Sequence, residues 1–443
     1  MMMYLLFLLY SLFLIGLSYF YGRQASQEEY LLSGRNRPTL HILASKFAGA
    51  VGVSTFITYT SYAYKFSAMG VVPLILGASV GYIGFALWAA PKIKRFSLGQ
   101  QFYTQGDLVK FITINENSKL LTNVLTIGVQ FFWVILALVG GAKIIAYFEV
   151  LSYEMALLST SLVLLCYLLL SGFKAVILTD VVQTVIILSF LFFLVIMVLW
   201  NEPVEIASLL QTPPLQQVSI GNIVGLLLYG GLSVFGLADR YQLCYAAKDE
   251  EAARRGMALA VLPVLVVVFL LLMIGLSALA QNTSLDPDIA FLYAMEQFLA
   301  PFWYPVLLLL FFAGLMSSAD TNIFAVASHA AFLSATPDKV KTTKQLTALV
   351  IIVATLIAYF WRDIVDISII GAALRVTLAI PMIYIISRGN NTGRFMTATL
   401  LGVLALVVGW IFLGAEPVLI PLIIIAGMLG MLYKSKNDEL YWS

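Results

Sequence analysis

The chain has 443 residues, of which 61% are hydrophobic and only 11% are charged. This balance excludes a soluble globular protein, because too few charged residues remain to cover a water-facing surface, and it indicates a polytopic membrane protein. The net charge of +2 is spread over short loops rather than gathered in one patch, so we expect a lipid bilayer and no nucleic acid as partner.

Apolar runs of membrane-spanning length recur along the chain, and we expect an all-α fold of about thirteen transmembrane helices. The expected spans are 4–21, 40–66, 70–94, 117–147, 153–171, 172–200, 220–242, 252–280, 301–334, 343–361, 365–387, 395–413 and 416–433. The first run has no basic stretch before it and no small-residue cleavage site after it, so we expect a retained helix rather than a signal peptide.

The distribution of Lys and Arg predicts the orientation of the chain. The loops 201–219 and 281–300 contain neither residue, whereas the loops on the opposite side carry most of the basic side chains. Because basic loops stay in the cytoplasm, we expect a multi-pass protein of the cell (inner) membrane with its N-terminus outside and its C-terminus in the cytoplasm.

Two expected spans are interrupted near their centres by small residues, at Ala48–Thr55 and at Tyr229–Gly236. Matched interruptions are typical of transporters with inverted repeats, although small residues in either segment alone also allow close helix packing. The expected organisation is an N-terminal helix and cytoplasmic loop (1–39), a first repeat (40–200), an external loop (201–219), a second repeat (220–387) and two C-terminal helices with a short tail (388–443).

Hydroxyl and carboxylate side chains interrupt the apolar segment 310–325. They are Ser317, Ser318, Asp320 and Thr321. Polar groups are costly within a bilayer, so these side chains are expected to face the protein interior or a water-filled path and to serve a solute or an ion.

Several sequence blocks are similar, in chain order, to those of one known family. They are GRNRP at 34–38, SKFA at 45–48, TFI at 55–57, TDVVQ at 179–183, AAKD at 246–249 and GLMSSAD at 314–320. Together they resemble the sodium:solute symporter family, which includes carriers of proline, pantothenate, sialic acid and sugars with a LeuT-type inverted-repeat fold. The resemblance covers roughly residues 1–390. It implies a symporter, not an enzyme, that imports a small organic solute with Na⁺ by alternating access.

The resemblance also implies a sodium site between the first interruption and the segment 310–325. Its ligands would be the carbonyl oxygens of Ala48, Val51 and Gly314 and the hydroxyls of Ser317 and Ser318. Oxygen ligands of this kind suit a hard cation. The alternative for the two serines is a hydrogen bond to the preceding turn of their own helix.

Asp180 lies, by the same resemblance, near the inner sodium exit. With Asp320 and Thr321 it would form a second cation site or a proton-sensitive relay, because an ionised carboxylate within a membrane needs a cation or a proton. The alternative is a salt bridge between Asp180 and Lys174.

Two basic residues within expected spans depart from the family pattern. Lys46 would be a competing cation at or beside the sodium site, or else it reaches the cytoplasmic face or pairs with an acid. Arg375 would bind a solute carboxylate with two parallel hydrogen bonds. Its alternative is an internal pair with Asp180, Asp239 or Asp320.

The residues expected to contact the solute flank the two interruptions. They are Ser54, Thr55, Phe56, Gln130, Trp133, Ser233, Phe235, Ser368 and Arg375. This set offers few hydrogen-bonding groups for a polyol, so an amino acid or a monocarboxylate is favoured over a sugar. Two alternatives stay open: a proton-coupled or sodium-independent carrier of the same fold, and a membrane sensor that acts through a separate partner.

Overall fold

The computed structural model describes residues 2–22, 27–201, 206–215, 217–389 and 391–432. These ranges are built from helices and their connections. The α-helices are α1 Met2–Gly22, α2 Gln27–Leu32, α3 Thr39–Ala48, α4 Val53–Gly84, α5 Ala90–Ser97, α6 Gln105–Thr113, α7 Glu116–Tyr147, α8 Tyr153–Asn201, α9 Ile206–Leu210, α10 Ile220–Leu232, α11 Ala238–Ala246, α12 Glu250–Leu259, α13 Val261–Gln281, α14 Ala290–Phe298, α15 Tyr304–Leu333, α16 Lys339–Phe360, α17 Ile364–Arg388, α18 Thr392–Leu413 and α19 Leu419–Leu432.

The prediction of an all-α polytopic membrane fold is confirmed, but the number of spans is not. Eight helices of the described ranges are long and apolar enough to cross a membrane, or nine when a bent pair counts as one span. Part of the difference from about thirteen arises because consecutive expected spans form continuous helices. α8 has 49 residues and contains both 153–171 and 172–200, whereas one crossing needs only about 20 residues.

Both predicted interruptions are breaks in helices. α3 ends at Ala48 and α4 begins at Val53, so residues 49–52 leave the helical path between them. α10 ends at Leu232, a short 3₁₀ turn follows at Ser233–Gly236, and the pair formed with α11 is bent by 43°. A break frees backbone carbonyls that an intact helix would engage in its own hydrogen bonds.

α4 and α10 pack so closely at their glycine residues that their backbones are in contact. A Cβ atom added to Gly81 would lie 2.0 Å from the carbonyl oxygen of Gly231, and one added to Gly77 would lie 2.0 Å from that of Leu227. No side chain fits between two backbones at this separation. The contact therefore fixes the C-terminal half of α4 beside the break that follows α10.

The loop between α13 and α14 closes one end of the helix assembly. Ser61 Oγ of α4 donates to the carbonyl of Pro287 at 2.8 Å. Lys143 of α7 forms an ion pair with Asp288, which also accepts a hydrogen bond from the Ile364 amide at 3.2 Å. Burial raises the pKa of the Asp288 carboxyl, and the Lys143 ammonium opposes that shift. One short loop thus connects α4, α7 and α17.

Replacing Gly81 by alanine tests the glycine contact. The added methyl would meet backbone at Gly231, so we expect Gly81→Ala to cost about 1–3 kcal/mol of stability, as overpacked sites do. Gly84→Ala is the matched control. Gly84 lies on the same helix, and a Cβ atom added there would have no neighbour within 4 Å. Thermal unfolding in detergent measures both, and equal melting temperatures would contradict the close contact.

Candidate functional site

A cavity of about 90 Å³ lies between the two broken helices and the middle of the neighbouring helices. Gly49, Ala50, Ser54 and Thr55 line it from the first break. Its other walls include residues near the centres of α7, α15 and α17, and Tyr229 near the C-terminal end of α10. Solute sites of inverted-repeat transporters occupy this position, at the unwound segments.

The first break is in direct contact with α15 at Gly52. A Cβ atom on Gly52 would lie 1.4 Å from Ser318 Oγ and 2.9 Å from the carbonyl oxygen of Gly314. The fold therefore brings the carbonyl of Gly314 and the hydroxyl of Ser318 to the segment that follows Ala48 and contains Val51. Carbonyl and hydroxyl oxygens match the ligand preference of a hard cation such as Na⁺.

Adjacent residues of α15 face different surroundings. Ser318, Thr321 and Asn322 line the cavity. Ser317 instead donates a hydrogen bond of 2.7 Å to the Asp180 carboxylate of α8. Because successive residues of a helix are rotated by about 100°, the two neighbouring serines serve two separate polar regions. Ser317 thus donates its hydrogen bond to α8 rather than to the preceding turn of its own helix.

The second predicted cluster lies on the α8 side of α15. Tyr167 donates to Asp320, and Thr321 donates to the same carboxylate at 3.2 Å. Asp180 and Asp320 are both at most 1% exposed. Among the described residues neither acid has a basic side chain within 4.0 Å, and the side chain of Lys174 lies outside the described residues.

Three buried cationic residues line the cavity. The Lys46 ammonium lies 4.0 Å from the centre of the Tyr82 ring, and the Arg375 guanidinium carbon lies 4.3 Å from that of Trp133. Arg240 forms an ion pair of 2.9 Å with Asp239. Lys46 is only 2% exposed, so it does not extend to an aqueous face.

Arg375 is not paired with any of the three acids considered from the sequence. Within the ranges that the structure describes, no carboxylate oxygen lies within 4.0 Å of its guanidinium or of the Lys46 ammonium. The Nε atom of Arg375 and the indole Nε1 of Trp133 are buried without a hydrogen-bond partner in the same ranges. The cavity wall therefore holds unsatisfied donors.

Of the residues expected to contact the solute, Ser54, Thr55, Trp133 and Arg375 line the cavity. Five others lie outside its lining: Phe56, Gln130, Ser233, Phe235 and Ser368. The Phe56 ring packs edge-on against Phe291 and Phe311, at centroid distances of 5.6 and 5.8 Å. It belongs to the apolar core rather than to the cavity.

The other four are also held behind the cavity wall. Ser368 forms a hydrogen bond of 2.8 Å with the hydroxyl of Tyr62, and it is Tyr62 that lines the cavity. Phe235 packs against Phe85 at 5.4 Å. Gln130 and Ser233 are buried and are not in the lining.

Sequence reasoning missed several residues of the lining. They are Thr58, Tyr62, Tyr82, Tyr229, Asp239, Arg240 and Asn322. Asp239 and Arg240 carry a usable signal, since they are charged residues within the expected span 220–242 and directly follow the second break. Tyrosines in apolar helices carry no such signal, because they are equally common in the core and at membrane interfaces.

Comparison with known proteins agrees with this geometry. A model of the sodium:solute symporter family matches residues 30–365. A sodium/pantothenate symporter of Haemophilus influenzae is 24% identical over 369 residues, covering 77% of this chain and 74% of that protein.

Solved structures show the same fold. The substrate-bound outward-open state of a Na⁺-coupled sialic acid symporter superposes with a TM-score of 0.76 at 14% identity, covering 98% of both chains. A nucleobase-cation-symport-1 family transporter, in a closed conformation with bromovinylhydantoin bound, gives a TM-score of 0.51 at 13% identity over 92% of this chain and 93% of that one.

Broken helices that meet at a central polar cavity define a secondary transporter of the membrane. The match over residues 30–365 shows further that the chain belongs to the sodium:solute symporter family. It is a sodium-coupled solute symporter and not an enzyme. The predicted family, transport class and coupling ion are thus confirmed, while the division into repeats and the individual site residues stay predictions.

Substituting Gly52 tests whether the contact with α15 matters for sodium. Gly52→Ala would push the break away from Ser318, at a strain of about 1–3 kcal/mol. We expect a sodium affinity about tenfold to a hundredfold lower, measured as the thermal shift produced by NaCl relative to KCl. Gly84→Ala serves again as control, and an unchanged sodium-dependent shift in Gly52→Ala would exclude this contact from the site.

Proposed function

We propose that the protein imports a small organic anion, bound through a carboxylate, together with Na⁺. The observation that carries this proposal is Arg375, a buried guanidinium in the cavity wall without a carboxylate partner among the described residues. A guanidinium presents donors in a fork that matches a carboxylate. Leaving it unpaired is costly, so a ligand that supplies the carboxylate is favoured.

The neighbouring donors support a carboxylate over a polyol. Trp133 Nε1, Thr58 Oγ1 and Arg375 Nε are buried without acceptors in the described ranges, and all three residues belong to the cavity lining. Carboxylate oxygens accept several hydrogen bonds at once. A sugar would need acceptors as well as donors from the wall, and the one carboxylate of the described lining, Asp239, is held in an ion pair with Arg240 and has only its Oδ1 atom without a hydrogen-bond partner.

The charge of the lining favours an anion over a zwitterion. Lys46, Arg240 and Arg375 face one carboxylate, Asp239. The ammonium group of an amino acid would enter a region with excess positive charge and would find no free carboxylate there. The Haemophilus influenzae relative, a sodium/pantothenate symporter, agrees in kind, because pantothenate is the anion of a carboxylic acid.

For the coupling ion we propose the site predicted from the resemblance: the carbonyls of Ala48, Val51 and Gly314 with the hydroxyl of Ser318, and Ser317 at its edge. The contact of Gly52 with α15 supports this assignment. Sodium bound there would hold the break against α15 and stabilise the conformation that accepts the solute. Each positive charge moved inward gains roughly 2.3 kcal/mol per 100 mV of membrane potential.

We further propose that Asp180, Asp320 and Thr321 hold a second cation or a proton. The burial of both carboxylates supports this, since neither has a basic side chain within 4.0 Å in the described ranges and a buried carboxylate needs a cation or a proton. In the cell membrane the proposed orientation places the N-terminus outside, the C-terminus in the cytoplasm and the loop 281–300 outside, as its lack of basic residues indicates.

Uptake into proteoliposomes tests the proposed function. With an inward sodium gradient we expect radiolabelled small carboxylates, offered as a panel with amino acids and sugars, to accumulate in Na⁺ but not in K⁺. Arg375→Gln should reduce uptake at least about a hundredfold, as loss of a charge-assisted pair does, and Arg375→Lys should restore only part of it.

Arg388→Gln is the matched control, because Arg388 lies exposed at the end of the same helix. Sodium-driven uptake of a neutral sugar, or full carboxylate uptake by Arg375→Gln, would overturn the proposal.

A further inference from the structure

Lys46 has a buried side-chain amine that the proposed function leaves without a role. It lies on the last turn of α3, directly before the first break, and lines the cavity. Its contact is the face of Tyr82, with the nitrogen 4.0 Å from the ring centre. No acid lies within 4.0 Å of it in the part of the chain that the structure describes.

An aromatic face alone does not replace the water that a buried ammonium loses. A cation over a ring gains a fraction of what full hydration provides. The ring also covers only one side of the nitrogen and accepts none of its hydrogen bonds in the way an oxygen does. Lys46 therefore keeps a positive charge at this position only when an anionic or strongly polar group lies beside it, and a bound anion would supply one.

Lys46 and Arg375 have the same arrangement on different walls of one cavity. Each cation is covered by an aromatic ring, Tyr82 for Lys46 and Trp133 for Arg375. The third cation, Arg240, already has its partner in Asp239. Two positive groups therefore remain for the solute to neutralise, and a monocarboxylate neutralises only one of them.

We propose that the transported solute is a small dianion of the dicarboxylate class, with one carboxylate at Arg375 and the second acidic group at Lys46. This inference rests on the proposed function, because it assigns a second subsite to the same cavity. It gives Lys46 a role in solute recognition rather than the role of a cation that replaces sodium. The position of its ammonium over Tyr82 of α4, rather than at the contact of Gly52 with α15, favours this assignment.

Binding of matched ligands tests the inference. Titration calorimetry on the purified protein in saturating NaCl compares α,ω-dicarboxylates of three to six carbons, succinate among them, with monocarboxylates of equal length such as butyrate. In the wild type we expect at least one dicarboxylate to bind about tenfold or more tightly than its monocarboxylate, as a second charge-assisted contact provides.

Variants then assign the second subsite. Lys46→Met should remove the preference for the dicarboxylate while leaving monocarboxylate binding unchanged or tighter, and Lys46→Arg should retain part of the preference. Arg375→Gln should weaken both ligands. Lys65→Met is the matched control, because Lys65 lies near the Phe66 ring at 5.4 Å and outside the cavity lining.

The outcomes separate the two proposals. Two results overturn the dianion inference and leave the proposed function standing. One is that monocarboxylates bind as tightly as every dicarboxylate; the other is that Lys46→Met lowers the affinity for both ligands equally. A Lys46→Met variant that binds Na⁺ more tightly with its ligand preference unchanged also overturns it, in favour of a competing cation. Failure of every carboxylate of either kind to bind overturns the proposed function itself.

Discussion

The close contact between the first helix break and α15 is the constraint on which the rest of the site depends. At Gly52 the broken segment meets Ser318 and the Gly314 carbonyl so closely that not even a methyl group fits between them. A break alone would expose carbonyls to an apolar environment, which is unfavourable in a membrane. With α15 at this distance, the Gly314 carbonyl and the Ser318 hydroxyl lie directly against the break, as the proposed sodium site requires.

With α15 in this position, its polar side chains lie in two regions. On one face Ser318, Thr321 and Asn322 line the cavity, whose walls also hold three basic side chains. On the other face Ser317 donates to the Asp180 carboxylate of α8, and Asp320 accepts from the Tyr167 hydroxyl of α8. The separation needs only the rotation between neighbouring positions of a helix. The short segment Ser317 to Thr321 therefore reaches both the cavity and the cluster of buried carboxylates without a loop or a further element.

The sequence predicted most reliably what membrane burial makes costly. The sequence places Lys46 and Arg375 as charged residues within apolar spans, and both line the cavity. The glycine-rich interruptions likewise correspond to real helix breaks. What could not be predicted was the direction of uncharged side chains near a break. Phe56 lies only a few residues beyond Gly52, yet its ring packs in the core. A single sequence does not show which face of the first turn of a helix is buried.

The charges of the cavity give a physical account of coupling between Na⁺ and an anionic solute. No carboxylate lies within 4.0 Å of Lys46 or Arg375 in the described ranges, so when both are protonated the cavity has excess positive charge, which would oppose a cation at the sodium site proposed for the neighbouring break. A bound anion would remove that repulsion and so raise the affinity for Na⁺, and by linkage Na⁺ would raise the affinity for the anion to the same extent. Neither ligand then occupies the site readily alone. In a transporter that alternates between two conformations, this mutual dependence limits the passage of one without the other, and it follows from the excess of cations over acids in the lining.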